Sequence, residues 1–310
     1  MNIKIIYHIM PWEIDYALLT YTQLKKTKYH LPEDVNIYIE TVLNLSNHTI
    51  DWDKTKFPKQ YFIDKYTQLG VLLKDYNHIS RIHDTDELYG HLNLQRECID
   101  PEIDYYLSIC PDIYFSEYTL PYLIEAAKHV TNKYVVITPQ ISKVGDSDWD
   151  EITAIKYRSI PYSDYLKVDI FDIMNDNNND KSEFNLHATV KSKWAGWFDL
   201  YNKAFFEELC PVQDDWHGYG PWDWYSLIMT NHVKYLKVDF QQYLLQGETI
   251  WMYPSGPLIG DNIDGFSKYY KDYIVFKEGN KHSQREIFES KMGGYINTGL
   301  QNLKNKKIIL

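Results

Sequence analysis

Two short stretches carry residues whose types and spacing could do chemistry. Residues 217–225 read HGYGPWDWY, and residues 105–115 read YYLSICPDIYF. In the first, Gly218 and Gly220 let the backbone pass close to a ligand, and Asp223 stands at a helix start between Trp222 and Trp224, where free N–H groups would hold its charge. The flat rings of Trp216, Tyr219 and Trp222 suit the faces of sugars or bases as well as a core. The same aspartate also fits an ordinary helix N-cap with aromatic neighbours packed inside. In the second stretch an apolar strand stops at Pro111, and Asp112 falls just past its carboxyl end, where an open α/β sheet places its ligand. A carboxylate there can hold a divalent cation that neutralises a diphosphate. It also fits an Asx turn ahead of the next helix.

The elements that must position these residues follow from periodicity. NIKIIYHIM is an apolar run that stops at Pro11, as a buried strand would. Ile14, Leu18, Tyr21 and Leu24 recur at helical spacing through Lys26, and VNIYIETVL at 35–43 alternates like a second strand. Residues 87–98, ELYGHLNLQREC, predict a helix leading to the strand DYYLSIC. After that strand, Ser116 can cap a helix over YTLPYLIEAAKHV, and KYVVITPQI is the next strand. Helices alternating with strands predict an α/β chain with a mostly parallel sheet and helices on both faces. NDNNNDKSE at 175–183 predicts a surface loop. KWAGWF through WYSLIMTNHV predicts strand, helix, acidic loop, glycine turn and helix, ahead of a tail with many Gly and Lys. No internal repeat is visible.

The 310 residues and 44% hydrophobic content suffice for one large or two modest domains with a core. A formal net charge of −11 disfavours unaided binding of a polyanion such as DNA. Three cysteines, Cys98, Cys110 and Cys210, form no CxxC pair and no even framework, which argues against a disulfide scaffold or structural zinc and fits a reducing cytoplasm. No apolar run reaches 18 residues, so no integral membrane segment is expected, and the first residues lack a leader pattern. The absence of GxxxxGK[ST] makes a P-loop kinase or ATPase an unlikely design.

The order β-α-β, a helix carrying GHLNLQR, then YYLSICPD, and later WAGWF, FFEEL and HGYGPWDW, resembles the GT-A fold of nucleotide-sugar-dependent glycosyltransferases. It is most similar to inverting enzymes with a galactosyltransferase-like carboxyl half. The match runs over residues 1–235 in order and spacing. It implies a catalytic domain over 1–235, with a nucleotide-sugar half at about 1–145 and an acceptor half at about 185–235. Residues 236–310 would be an extension or lid packed on the same domain.

In that family a strand ends in Asp-x-Asp, which binds the metal and the donor, and a later glycine-aromatic-glycine segment ends in an acid facing the acceptor. Here Asp112 matches the second Asp, Cys110 replaces the first, and Trp222 replaces the first acid of the later pair. A thiol is a poor ligand for a hard cation, so of the Asp-x-Asp pair only Asp112 remains to carry the dependence on Mn²⁺ or Mg²⁺ that the resemblance implies. The resemblance implies that Asp223 is the general base and that a hexose passes from a nucleotide-diphosphate sugar, a UDP-sugar, to a saccharide hydroxyl with inversion. It further implies that Arg96 orients Asp112 or the donor, and that Glu40 contacts the nucleoside. Lys281, His282 and Arg285 in EGNKHSQRE would close over the diphosphate, with His282 an added metal ligand. Trp197, Trp216, Gly218, Tyr219, Gly220 and Trp222 would form the acceptor surface.

HDTDE at 83–87 contains a literal Asp-Thr-Asp. It follows no convincing apolar strand, so a solvent-facing turn or cap is expected of it. Two rival readings stay open. One is a viral-type DNA glucosyltransferase acting on a hydroxymethylated, flipped base. The other is a carbohydrate-binding protein that stacks sugars on its tryptophans and releases no nucleoside diphosphate.

Overall fold

The computed structural model describes residues 1–47, 50–55, 57–86, 89, 91–111, 113–143, 185–189, 198–209 and 239–252. Strand β1 (Asn2–Ile9) is buried from Ile3 onward, as a strand covered on both faces must be. After a single helical turn at Pro11–Glu13, helix α1 (Ile14–Thr27) returns to β2 (Asn36–Asn44), which pairs parallel with β1. Helix α2 (Lys59–Gly70) and strand β3 (Asn77–His83) follow, with β3 parallel to β2 at the sheet edge. The chain then crosses back through α3 (His91–Glu97) to β4 (Tyr105–Ile109), which lies parallel to β1 on its other side.

The second half is mixed in direction. It comprises β5 (Ile113–Tyr114), α4 (Thr119–Lys128), β6 (Tyr134–Lys143), β7 (Asn185–Thr189), β8 (Phe198–Asn202) and β9 (Phe240–Met252). The nine strands form one sheet in the order β3-β2-β1-β4-β8-β6-β9-β5, with β7 on β9. Strand β8 runs antiparallel between β4 and β6, while β6 and β9 are parallel. The α/β class and flanking helices are as expected. Parallel order is confined to β3-β2-β1-β4 and to the β6-β9 pair.

The elements differ in detail from the sequence reading. Helix α3 is described only over His91–Glu97, shorter than the predicted 87–98. No element was expected between residues 44 and 86, yet α2 buries Phe62, Tyr66 and Leu69 at helical spacing. There β3 spells NHISRIH, whose polar residues at an exposed edge hide the strand. Residues 240–252, within the stretch read as an extension or lid packed on the same domain, supply β9 of the sheet.

One face of the sheet carries the core. Ile3, Ile5, Tyr7 and Ile9 of β1 meet Ile14, Ala17, Tyr21 and Leu24 of α1, together with buried apolar residues of α2 and α4. Helix α1 includes Thr20, Tyr21, Thr22 and Thr27, all weak helix formers. At roughly 1.5–3 kcal/mol per fully buried large apolar side chain, its packed face outweighs that deficit. Among the described residues no helix is long and apolar enough to cross a membrane.

Candidate functional site

Strand order locates the crevice. From β1 the chain moves outward to β2 and β3, then returns to place β4 on the opposite side of β1. The connections therefore diverge at the carboxyl ends of β1 and β4, the point where open α/β sheets bind ligands. Tyr7 lies opposite Ile109, so β1 runs two residues beyond the end of β4. At that level β1 leads into the turn at Pro11–Glu13, where Met10 N–H donates to Glu13 Oε2 at 2.9 Å and Glu13 N–H donates to the Met10 carbonyl at 2.9 Å. Pro11 at the first helical position pre-sets φ for that turn.

Strand β4 leaves the sheet through Cys110 and Pro111. The Ile113 N–H donates to the Cys110 carbonyl at 3.3 Å, closing a four-residue turn with proline at its second position. Cys110 is half-buried at the strand end.

Beneath the crevice, the side chains alternating with the core residues form a polar layer under α3. His8, Asn44 and Ser108 come from β1, β2 and β4, and Asp199 of β8 stands opposite Ser108. Asn44 Nδ2 donates to the Tyr89 carbonyl at 2.7 Å and lies 3.3 Å from His8 Nε2, while its Oδ1 accepts from Ser46 N–H at 3.0 Å. His91 Nε2 is 2.7 Å from Ser108 Oγ and 2.8 Å from Gln95 Nε2. The Tyr201 hydroxyl donates to Asp199 Oδ2 at 3.2 Å. Tyr89 stacks on His83 with ring centroids 4.0 Å apart.

Burial, then the nearby His91 and His83, hold His8 well below the ordinary histidine range. Burial likewise lowers His91 to about 4. At neutral pH both rings are therefore uncharged. Asn44 and His8 join the ends of β2 and β1, His91 joins α3 to β4, and neither ring adds positive charge.

The described residues include two of the sequence-predicted site positions in full. Glu40 lies in the middle of β2, four residues short of its carboxyl end, and is buried. Its carboxylate meets Arg81 in an ion pair and lies 3.8 Å from Lys4 Nζ. That position, expected at a strand end facing a nucleoside, thus holds β3 and β1 to β2 from the α3 side. Arg96 sits in the last turn of α3, partly exposed. Asp112, Trp197, Trp216, Gly218, Tyr219, Gly220, Trp222, Asp223, Lys281, His282 and Arg285 lie outside the described residues.

HDTDE does follow a strand, because β3 ends at His83. Its carboxylates serve the rim: Asp84 pairs with Lys59, and Asp86 Oδ1 accepts from Asn47 Nδ2 at 2.6 Å. Among the described residues no three His, Cys, Asp or Glu side chains converge as a cation site. The polar layer escaped sequence reasoning. A signal was nevertheless present: Ser108 interrupts the otherwise apolar β4, and His8 and Asp199 stand among large apolar neighbours in β1 and β8.

No protein-family model matches the chain, and no curated protein matches it in sequence. Solved structures similar to it include S. aureus TarS 1–349, at 13% identity and a TM-score of 0.46 over 84% of this chain and 63% of that one. The same fragment in complex with UDP-GlcNAc is similar at 12% identity and a TM-score of 0.45, over 84% of this chain and 61% of that one. GalNAc-T7 with UDP, GalNAc and Mn²⁺ is similar at 9% identity and a TM-score of 0.45, over 82% of this chain and 44% of that one. None of these scores reaches 0.5, and the chain spans less than two thirds of the length of each.

Proposed function

We propose that the chain is a GT-A-type glycosyltransferase that moves a hexose from a nucleoside-diphosphate sugar, a UDP-sugar, to a saccharide hydroxyl with inversion. The observation that carries this reading is the strand order. It opens a crevice at the carboxyl ends of β1 and β4, and in the sequence Asp112 follows the last residue of β4 by three positions. Asp112 is then the carboxylate nearest the diphosphate. The carboxylate of Asp112 fits a hard cation and the thiol of Cys110 does not, so Asp112 and His282 would hold Mn²⁺ or Mg²⁺. When bound, such a cation supplies charge neutralisation for a departing diphosphate.

In this reading Lys281 and Arg285 bind the diphosphate oxygens, and Arg96 orients the donor from α3. Asp223 accepts the proton of the attacking hydroxyl on the face of the sugar opposite the leaving group. Trp197, Trp216 and Trp222 hold the acceptor by stacking, over the backbone of Gly218, Tyr219 and Gly220. The polar layer of His8, Asn44, His91 and Ser108 sets hydrogen-bonding groups beneath the crevice where charge moves between donor and acceptor.

The test is nucleoside-diphosphate release from a panel of nucleotide sugars, with and without Mn²⁺ or Mg²⁺, by wild type, Asp112→Ala and Asp223→Ala. Release by wild type that falls at least about a hundredfold in both variants is the expected result. Equal release by all three proteins would remove the site assignment. Sugar binding with no release from any donor would make the chain a carbohydrate-binding protein instead.

A further inference from the structure

Thr20 lies mid-way along α1 and is fully buried. A threonine in a helix commonly turns its hydroxyl back to the carbonyl four residues earlier. Thr20 is recorded instead reaching across to the segment after β4, with Oγ1 3.3 Å from the Pro111 carbonyl and 3.2 Å from the Ile113 carbonyl. These two carbonyls flank residue 112. One hydroxyl proton shared between two acceptors at these distances makes each bond individually weak. The geometric consequence is larger, because both carbonyls must converge on a single point of α1.

Three further constraints act on the same turn. Pro111 restricts φ, the Ile113 N–H to Cys110 carbonyl bond closes the turn, and β5 pairs Ile113 and Tyr114 with Met252 and Trp251 of β9. Of the four, only the Thr20 hydroxyl reaches the turn from a different layer of the fold. It couples α1 to the segment that follows β4.

We infer that Thr20 is a positioning residue for the donor site: its hydroxyl, by meeting the carbonyls of Pro111 and Ile113, ties the residues on either side of position 112 to α1. This rests on the reading of Asp112 given above. Misplacement of a reacting group by about 1 Å can cost on the order of a hundredfold in rate. Loss of this tie is thus visible in catalysis out of proportion to its weak bonds.

The test uses Thr20→Val, which keeps the side-chain shape and removes the hydroxyl, Thr20→Ser, which keeps the hydroxyl, and both on an Asp112→Ala background. Nucleoside-diphosphate release is measured at several donor concentrations, with thermal melts beside it. Thr20→Val is expected to lower kcat/KM by about ten- to a hundredfold, and Thr20→Ser to stay within about threefold of wild type. On the Asp112→Ala background Thr20→Val is expected to add less than about twofold, because a residue acting through position 112 has no carboxylate left to act on.

Thr20→Val within about twofold of wild type, beside a strongly impaired Asp112→Ala, overturns the positioning role alone. So does a loss of equal size on both backgrounds, which would mark a general structural defect. If Thr20→Val does not fold, a loss in Thr20→Ser that tracks its melting temperature rather than its hydroxyl also overturns it. Asp112→Ala turning over like wild type overturns the underlying reading, and the positioning role with it.

Discussion

The two faces of the β3-β2-β1-β4 sheet are built from alternate residues of the same strands. On the α1 and α2 side β1 presents Ile3, Ile5, Tyr7 and Ile9 to a continuous apolar core. On the α3 side it presents Lys4, Ile6 and His8, and its neighbours add Glu40, Asn44 and Ser108, all buried. Burial is thus similar while chemistry is not. A buried polar group left unbonded costs about 1–3 kcal/mol, so the α3 face is affordable only because its groups bond one another. The apolar face decides whether the chain folds. The polar face sets hydrogen-bonding groups beneath the crevice, and a one-residue register slip would exchange the two.

The largest effect that would sharpen this division is catalytic. Asp223→Ala should lower sugar transfer by about 10²- to 10⁴-fold while the urea midpoint stays near wild type. A matched loss of stability would move Asp223 from the chemistry to the core. Next, Ile5→Ala on the apolar face should cost about 2–5 kcal/mol in urea unfolding. At temperatures where the variant remains folded, kcat should be little changed. An Ile5→Ala protein as stable as wild type would break the assignment of the core to that face.

Third in size is a pH effect specific to the polar face. His91 takes up its proton only near pH 4 in the folded protein, because burial disfavours the charged ring, whereas an unfolded histidine does so near pH 6.5. Between these values the unfolded state binds more protons. Stability is therefore full above about pH 6.5 and falls as the pH drops toward 4. The expected loss is about 2 kcal/mol between pH 7 and pH 4.5. Urea midpoints at the two pH values, compared with His91→Gln, measure it; an unchanged slope in His91→Gln would sink the attribution. The smallest effect belongs to the rim. Asp84→Asn removes an exposed pair with Lys59 and should change stability by less than about 1 kcal/mol in the same assay.

Much of the parallel half was legible in the sequence. The stretches at Asn2–Ile9 and Tyr105–Ile109 are largely apolar, Asn36–Asn44 alternates, and prolines at 11 and 111 mark where the first two stop. β3 was not legible, because an edge strand with exposed Ile79, Ser80 and Ile82 carries no buried-strand pattern. β9 was not either, since Gly247 and Glu248 interrupt its apolar run and its partners β6, β5 and β7 lie far away in the chain. Of the candidate site, Asp112 was marked by its place after a strand. His8, Asn44, Ser108 and Asp199 looked like isolated polar residues, and only strand pairing brings them side by side. The ion pairs of Glu40 were not legible, because its cationic partners, Lys4 and Arg81, come from neighbouring strands.

By itself the sequence determined the elements whose cause is local: apolar runs that must be buried, a helix with a periodic apolar face, and turns set by proline. It also placed Asp112 at a strand's carboxyl end, which needs only the run before it. The tertiary structure alone decided strand order, and with it the crevice at the carboxyl ends of β1 and β4. It alone decided which polar residues share a face, and that the Thr20 hydroxyl of α1 meets the carbonyls of Pro111 and Ile113. The physical reason is range. Periodicity and turn chemistry act over a few residues, whereas hydrogen bonds and ion pairs between strands join positions tens of residues apart that no local pattern connects.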